Sequence, residues 1–231
     1  MTGYTINLDA LTSAQAVAEA LNVSRETSAT QTQALAADLQ SYFERLSQAA
    51  QMFNLVGPSV LNQFWPRHAF DCGQLALLRP QARVWADLGT GAGLPGLILA
   101  IHLKHNTNPQ GPGHIHLVES NTKKCNFLRQ TIQDLALPAS VHHGRAEALT
   151  LPPLDVLTAR ACAPCERLFG YSYPHLNGAE ALYLKGQDVV SELTEASKSW
   201  SFQSELIPSR SDPSGNLLRV WDLAPKPSRT R

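Results

Sequence analysis

The hydrophobic pattern divides the chain in two. Up to about residue 80, apolar positions recur at three- and four-residue steps. Leu35, Leu39, Tyr42, Phe43, Leu46, Ala50 and Phe53 make one stripe of a helix expected over residues 25–53. Ahead of it, Thr12 with Gln15 three residues on is a capping-box pattern before Val17, Ala18 and Leu21, and predicts a short first helix. Behind it, Asn54-Leu55-Val56-Gly57-Pro58 ends the stripe, and residues 62–78 read as a further helix interrupted or started at Pro66. From Ala82 the period changes, and short apolar runs alternate with helical segments. Strands are predicted near residues 83–88, 114–119, 139–143, 155–160, 179–185, 201–207 and 216–222, with helices at 94–104, 121–136, 164–176 and 187–198. That alternation is the mark of a mostly parallel sheet covered by helices. The expected organisation is a helical extension over residues 1–80, an α/β domain over 81–225 and a basic tail over 226–231, with residues 104–113 a surface insertion.

Residues 85–101 concentrate the chemistry: a strand ending in Asp87-Leu88, a turn with glycine at 89, 91, 93 and 96, then an apolar helix. Glycines there let a ligand lie against the peptide planes while the helix start points N–H groups at it. A nucleotide-like ligand is expected. Gly91-x-Gly93-x-x-Gly96 also satisfies the dinucleotide fingerprint, but Asp87 beside the loop would repel a pyrophosphate. A carboxylate suits a ligand carrying an ammonium and a sulfonium, which favours S-adenosylmethionine. Asp87 has a second reading, in which it hydrogen-bonds the loop's own N–H groups, and the two are compatible.

Composition narrows the class. With 43% hydrophobic and 16% charged residues the chain reads as globular. The longest apolar run, residues 94–103, falls short of the ~18 residues of a membrane span. No export signal is apparent in the first residues, and four cysteines are expected to be reduced thiols, so a cytoplasmic location is the expectation. Net charge is zero, yet residues 1–66 hold two basic groups (Arg25, Arg45) against five acidic ones (Asp9, Glu19, Glu26, Asp38, Glu44). The excess of positive charge therefore sits on the remainder, where any nucleic-acid contact belongs.

In a doubly wound sheet the ligand lies outside the carboxyl ends of the strands. The second predicted strand ends in Glu119, placed to accept both ribose hydroxyls, or else to serve as a helix N-terminal charge. The third leads into Arg145-Ala146-Glu147, where an adenine could rest. The fourth ends in Arg160 and lacks the Asn/Asp-Pro-Pro-aromatic tetrapeptide of exocyclic-amine methylases, which argues against an exocyclic adenine amine as target. Cys162-x-x-Cys165 is at most half a zinc site, and Pro164-Cys165 is similar to the nucleophile of cytosine-C5 methylases. Lys123, Lys124, Arg129, Arg145, Arg160 and Lys185 would form a phosphate-contacting rim if the strand ends meet in one cleft. Eight histidines show no metal-ligand spacing, and no metal is expected.

Separated segments then match one family in order. They are Asn54-Leu55, Arg67-His68-Ala69-Phe70-Asp71, the run from Asp87 to Gly96, Glu119-Ser120 with Lys123-Lys124 and residues 127–130, Arg145-Ala146-Glu147, Arg160-Ala161, and Leu184-Lys185-Gly186-Gln187. The chain resembles the RsmG family, also called glucose-inhibited division protein B, methyltransferases of bacterial small-subunit (16S) ribosomal RNA. The resemblance covers about residues 35–222. It implies a class I S-adenosylmethionine-dependent methyltransferase fold, Rossmann-like, with a mostly parallel seven-stranded sheet and N-terminal helices. The implied reaction is N7 methylation of one guanine, on 16S rRNA or the small ribosomal subunit, by a protein taken as a monomer. Family cofactor positions fall on Gly89, Leu94, Ala146, Glu147 and Arg160, joined by Asp87, Gly91 and Glu119 from the residues themselves. Arg67, Lys123, Lys124, Arg145 and Lys185 are the candidate RNA contacts. Ala161-Cys162-Ala163-Pro164 departs from the family's Ala-Phe-Ala-Ser.

Guanine N7 carries an in-plane lone pair, so attack on a sulfonium methyl needs no general base and no catalytic acid or base is assigned. Holding two reactants at contact distance supplies on the order of 7–11 kcal/mol. Arg145, Arg160 and Lys185 are therefore expected to hold phosphates, guanine O6 or the cofactor carboxylate. The alternatives are a methyltransferase acting on another base, cytosine C5 through Cys165, or on a small molecule, and a non-catalytic ribosome-binding or NAD-binding module.

Overall fold

The computed structural model describes residues 8–22, 27–53, 55–106, 110–160 and 162–227. Arg25, Asn54, Ala161, part of the 104–113 insertion and the end of the basic tail lie outside the described residues.

Helix α1 (Ala14–Asn22) starts one residue later than the Thr12 capping pattern implies, because the Ser13 hydroxyl accepts from Ala16 N at 3.2 Å. Gln15 instead bonds Glu19. The capping box stands at the next helix, α2 (Ala29–Phe53), where Ser28 Oγ accepts from Gln31 N and Gln31 Oε1 accepts from Ser28 N. After a short helix α3 (Pro58–Asn62), the helix read over residues 62–78 is two pieces: a π-turn over Trp65–Phe70 with Pro66 near its start, and α4 (Asp71–Leu78). Pro66 sits in the first turn of this π-turn piece, where its missing N–H removes no ladder bond.

The α/β part follows as β1 (Val84–Leu88), α5 (Gly96–His105), β2 (His114–Glu119), α6 (Thr122–Asp134), β3 (Ala139–His143), β4 (Val156–Arg160), α7 (Cys165–Ser172), β5 (Glu180–Lys185), α8 (Val189–Ala196), β6 (Trp200–Pro208) and β7 (Asn216–Pro225). Every strand lies within two or three residues of its expected span. Helix α5 begins two residues late, since Gly93 N and Leu94 N both donate to Thr90 O and keep this stretch a turn. Helices α6, α7 and α8 are likewise shorter than read, and a 3-10 turn at Tyr173–His175 follows α7.

The seven strands form one sheet in the order β3-β2-β1-β4-β5-β7-β6. Strands β1 to β5 pair in parallel, and β7 runs antiparallel between β5 and β6. The order reverses between β1 and β4, so the crevice for a ligand opens at the carboxyl ends of those two strands.

One face of the sheet packs Ile115 and Leu117 against Leu97, Ile101 and Leu128, and the same core takes in Leu21, Leu35, Leu39, Tyr42 and Leu46 of the N-terminal helices. These leucines are fully buried, each at roughly 1.5–3 kcal/mol, so the helices are welded to the sheet. The other face packs Leu88, Leu157 and Tyr183 against Leu168, Phe169 and Val189. Lys226, the first residue of the basic tail, is pinned to Ser199 O and Ser197 O. Among the described residues no helix is long and apolar enough to cross a membrane.

Candidate active site

The loop after β1 is built from positive dihedrals and three anchors. Gly89, Gly91 and Gly93 have φ of 67°, 61° and 103°, a region that only glycine enters cheaply. Gly96 N donates to Asp87 Oδ2 at 2.8 Å, Gly91 N donates to Glu119 Oε2 at 3.0 Å, and the Tyr42 hydroxyl of α2 donates to Ala92 O at 3.0 Å. A sequence-distant helix thus holds the far side of the loop.

Asp87 takes up the second of its two expected roles. It is fully buried beneath the loop, where Oδ2 accepts from Gly96 N and so braces the loop. Burial pushes its carboxyl up to about 7 and the Glu119 carboxylate adds to the rise, while the Thr90 side chain, the Gly96 N–H and Arg160 act the other way. A carboxyl raised above its unfolded value stabilises the fold most below about pH 4, and that contribution is lost as pH rises through 7. Asp87→Asn keeps an acceptor for Gly96 but cannot ionise. Relative to wild type, the variant should gain up to about 4 kcal/mol in stability between pH 4 and pH 8, read by urea unfolding at each pH. A difference that stays flat across that range refutes the raised carboxyl.

Glu119 closes β2 as expected. It is 8% exposed, with Oε1 accepting from Asn121 N at 2.8 Å and Oε2 from Gly91 N, which fixes both oxygens at the mouth of the loop and leaves each a further lone pair. A β-carbon on Gly91 would meet only Gly89 O, at 3.8 Å, so the loop face beside Glu119 is open. Ala146 and Glu147 open a 3-10 turn after β3, the first half-buried and the second exposed, with Ala146 O bonded to His175. Leu94 is half-buried and packs on the core below the loop.

Opposite the loop stands Cys162, whose Sγ would lie 3.0 Å from a β-carbon on Gly89. Its thiol is pushed up by burial first, then by Asp87, Glu119 and Glu147, against Lys185. The ends of β1, β2, β4 and β5 therefore all converge on this point. Cys165 does not join them: it is fully buried at the start of α7, its pKa driven up to about 12 by burial. Its burial in the core under α7 argues against the cytosine-C5 reading through Cys165.

The structure corrects the single basic rim, because the cations separate into groups. Arg160 and Lys185 line a cleft of about 510 Å³ at the ends of β4, β5 and β7. Arg160 donates to His68 Nδ1 at 2.5 Å and to Arg67 O at 3.3 Å, while Lys185 pairs with Glu192 at 2.5 Å and donates to Ala163 O. Arg67 pairs with Asp212 at 2.6 Å, joining the π-turn to the loop after β6. Lys123 and Lys124 lie elsewhere, in a groove between α2 and α6 floored by Ala49, Leu55 and Phe127. Arg145 is exposed before the 3-10 turn, and Arg129 is exposed on α6.

The π-turn and its neighbours were absent from the residue-level reading of the strand ends. Asp71, Gln74, Ser209 and Ser211 line or brace the cleft, and the only sequence signal for them was the Arg67-His68-Ala69-Phe70-Asp71 segment.

Residues 35–213 match the family model described as rRNA small subunit methyltransferase G. The chain belongs to that family. It is 49% identical over 188 residues to the ribosomal RNA small subunit methyltransferase G of Caulobacter vibrioides, covering 81% of this chain and 85% of that one. It is 42% identical over 207 residues to that of Methylorubrum extorquens, covering 88% and 92%. Among solved structures, MtNAS bound to S-adenosylmethionine aligns over 88% of this chain and 82% of its own, with a TM-score of 0.53 at 15% identity. The O-methyltransferase TomG of Streptomyces achromogenes, also bound to that compound, aligns over 78% and 88%, with a TM-score of 0.52 at 17% identity. These two likenesses show the fold alone, a mostly parallel α/β sheet shared with proteins solved in complex with S-adenosylmethionine.

Proposed function

We propose that this protein transfers a methyl group from S-adenosylmethionine to N7 of a guanine in small-subunit ribosomal RNA. Membership of the rRNA small subunit methyltransferase G family, over residues 35–213, carries the reading. The residues fit the donor. An open glycine face beside the Glu119 carboxylate suits a ribose diol, and the 3-10 turn at Ala146–Ala148 offers peptide N–H groups to an adenine edge. When bound, the donor supplies an electrophilic methyl on a sulfonium. Gly89, Gly91, Leu94, Glu119, Ala146, Glu147 and Arg160 are its proposed holders, with Asp87 beneath the loop.

The protein's own work is positioning. Guanine N7 brings its own lone pair, and the thiol that could have served another base, Cys165, is buried in the core away from the converging strand ends. Lys185 in the cleft, Arg67 beside it through Asp212, and Arg145 on the exposed turn after β3 are proposed RNA contacts, while Lys123 and Lys124 in the α2/α6 groove hold flanking backbone, where their contribution falls with salt. The target is the RNA or the assembled subunit.

The test is incubation with methyl-labelled S-adenosylmethionine and either free small-subunit rRNA or assembled subunits, followed by nucleoside analysis. Label is expected in 7-methylguanosine alone, and Cys162→Ser with Cys165→Ser should keep at least a third of the activity. Label in 5-methylcytidine that disappears with the cysteines would overturn the reading, as would label in no nucleoside.

A further inference from the structure

The cleft beside Arg160 contains a carboxylate held in an unusual way. Asp71 opens α4, and its Oδ1 accepts three hydrogen bonds: from Gln74 Nε2 at 2.8 Å, Ser209 Oγ at 2.9 Å and Ser211 Oγ at 2.5 Å. Gln74 is itself oriented, because its Oε1 accepts from Arg210 N at 3.1 Å. Ser209 and Ser211 come from the loop after β6, which Arg67 ties down through Asp212. All of this fixes one oxygen. The other, Oδ2, accepts from no described residue, and Asp71 lines the cleft. Three donors on one oxygen lock the carboxylate plane and leave the second oxygen presented as a pure acceptor.

We infer that Asp71 Oδ2 reads the Watson–Crick edge of the target guanine, accepting from N1–H and the 2-amino group. This rests on the proposed guanine methylation and names the group that selects the base. Guanine presents two donors side by side on that edge, whereas adenine presents a lone pair at N1, which a carboxylate repels. Enzymes that modify a base draw it out of its stack and read this edge by hydrogen bonds. The volume, about 510 Å³, is within the range of small-molecule sites, and the wall runs from Asp71 and Ser209 through Arg160 to Ala163, the neighbour of Cys162 beside Gly89. N7 lies on the opposite edge of the purine from N1 and the 2-amino group. A guanine held by Asp71 therefore turns N7 away from α4.

Asp71→Asn isolates this role. Its Oδ1 keeps the three donors, so the amide nitrogen must take the place of Oδ2, and an acceptor becomes a donor facing guanine's own donors. Wild type and variant are compared on RNA carrying guanosine or inosine at the nucleotide that wild type methylates, inosine lacking only the 2-amino group. We expect wild type to favour guanosine about tenfold or more in kcat/KM. In the variant, guanosine activity should fall roughly 100-fold and the guanosine-to-inosine preference should vanish, with S-adenosylmethionine affinity unchanged. That preference is a ratio within one enzyme, so a loss of folded protein does not move it. An unchanged preference in Asp71→Asn overturns the assignment of Asp71 while leaving N7 methylation standing. Failure of wild type to methylate guanine N7 overturns both.

Discussion

Gly96→Ala is expected to abolish measurable S-adenosylmethionine binding and to lower stability by about 2–4 kcal/mol. A β-carbon at this position would stand 2.3 Å from Leu117 Cδ2, 2.7 Å from Thr90 Oγ1 and 2.8 Å from Asp87 Oδ2. Leu117, Thr90 and Asp87 are all buried, so none can swing aside into solvent. Relief requires the start of α5 to lift, which breaks the Gly96 N–H bond to Asp87 and leaves a buried carboxylate oxygen without its donor. The loop then loses the anchor that aligns its ligand face. Urea unfolding gives the stability change and calorimetric titration the affinity. Gly57→Ala serves as control, since its φ is −72° and a β-carbon there meets only Ser59 Oγ at 3.9 Å. Full affinity in Gly96→Ala would mean that the loop is held by other contacts.

Much of this loop was legible in the sequence because its determinants are local. Gly89, Gly91 and Gly93 announce positive dihedrals and Gly96 a close approach, and Asp87 and Glu119 stand at or beside the ends of strands whose apolar runs are short and bounded. The β1-to-β5 spans follow from the same local rule. Local signals also failed in specific places. Thr12 and Ser13 are both competent N-caps, and only packing of the following helix decides between them. The π-turn at Trp65–Phe70 has an ordinary helical pattern, and its widening shows only when Arg67, His68 and Asp71 have partners to turn toward.

Those partners are the part the sequence conceals. Arg67 meets Asp212 across 145 positions, and Asp71 meets Ser209 and Ser211 across 138 and 140. No periodicity encodes such a pairing, so single cations at strand ends looked alike. The structure separates them by what each is tied to: Lys185 to Glu192, Arg67 to Asp212, and Lys123 and Lys124 to the wall of a different groove. Asp87 shows the same limit from the other side. The sequence allowed it both a ligand-facing and a loop-bracing role, and only the fold shows the Gly96 N–H, nine positions on, donating to Oδ2.

Arg160→Ala is the second large effect, expected to lower kcat/KM for RNA by about 100-fold or more while stability changes less. Arg160 ends β4, lines the Asp71 cleft, and joins β4 to the π-turn through His68 Nδ1 and Arg67 O. A guanidinium is always a donor, so His68 must be neutral with Nδ1 unprotonated. Its pKa is accordingly held near 4, by burial first and then by the positive charges of Arg160 and Arg67. Removing Arg160 deletes one of those charges and frees the π-turn that carries Arg67 and leads into Asp71. The His68 pKa should therefore rise, read by the pH dependence of its ring resonances, in parallel with the loss of turnover. Arg160→Lys restores the charge but not the planar fork that reaches His68 and the Arg67 carbonyl together, so it should return the His68 pKa toward 4 and recover only part of the rate. If Arg160→Ala kept full turnover with His68 unmoved, the cleft would owe its shape to other residues and its assignment as the RNA-facing half of the site would fall.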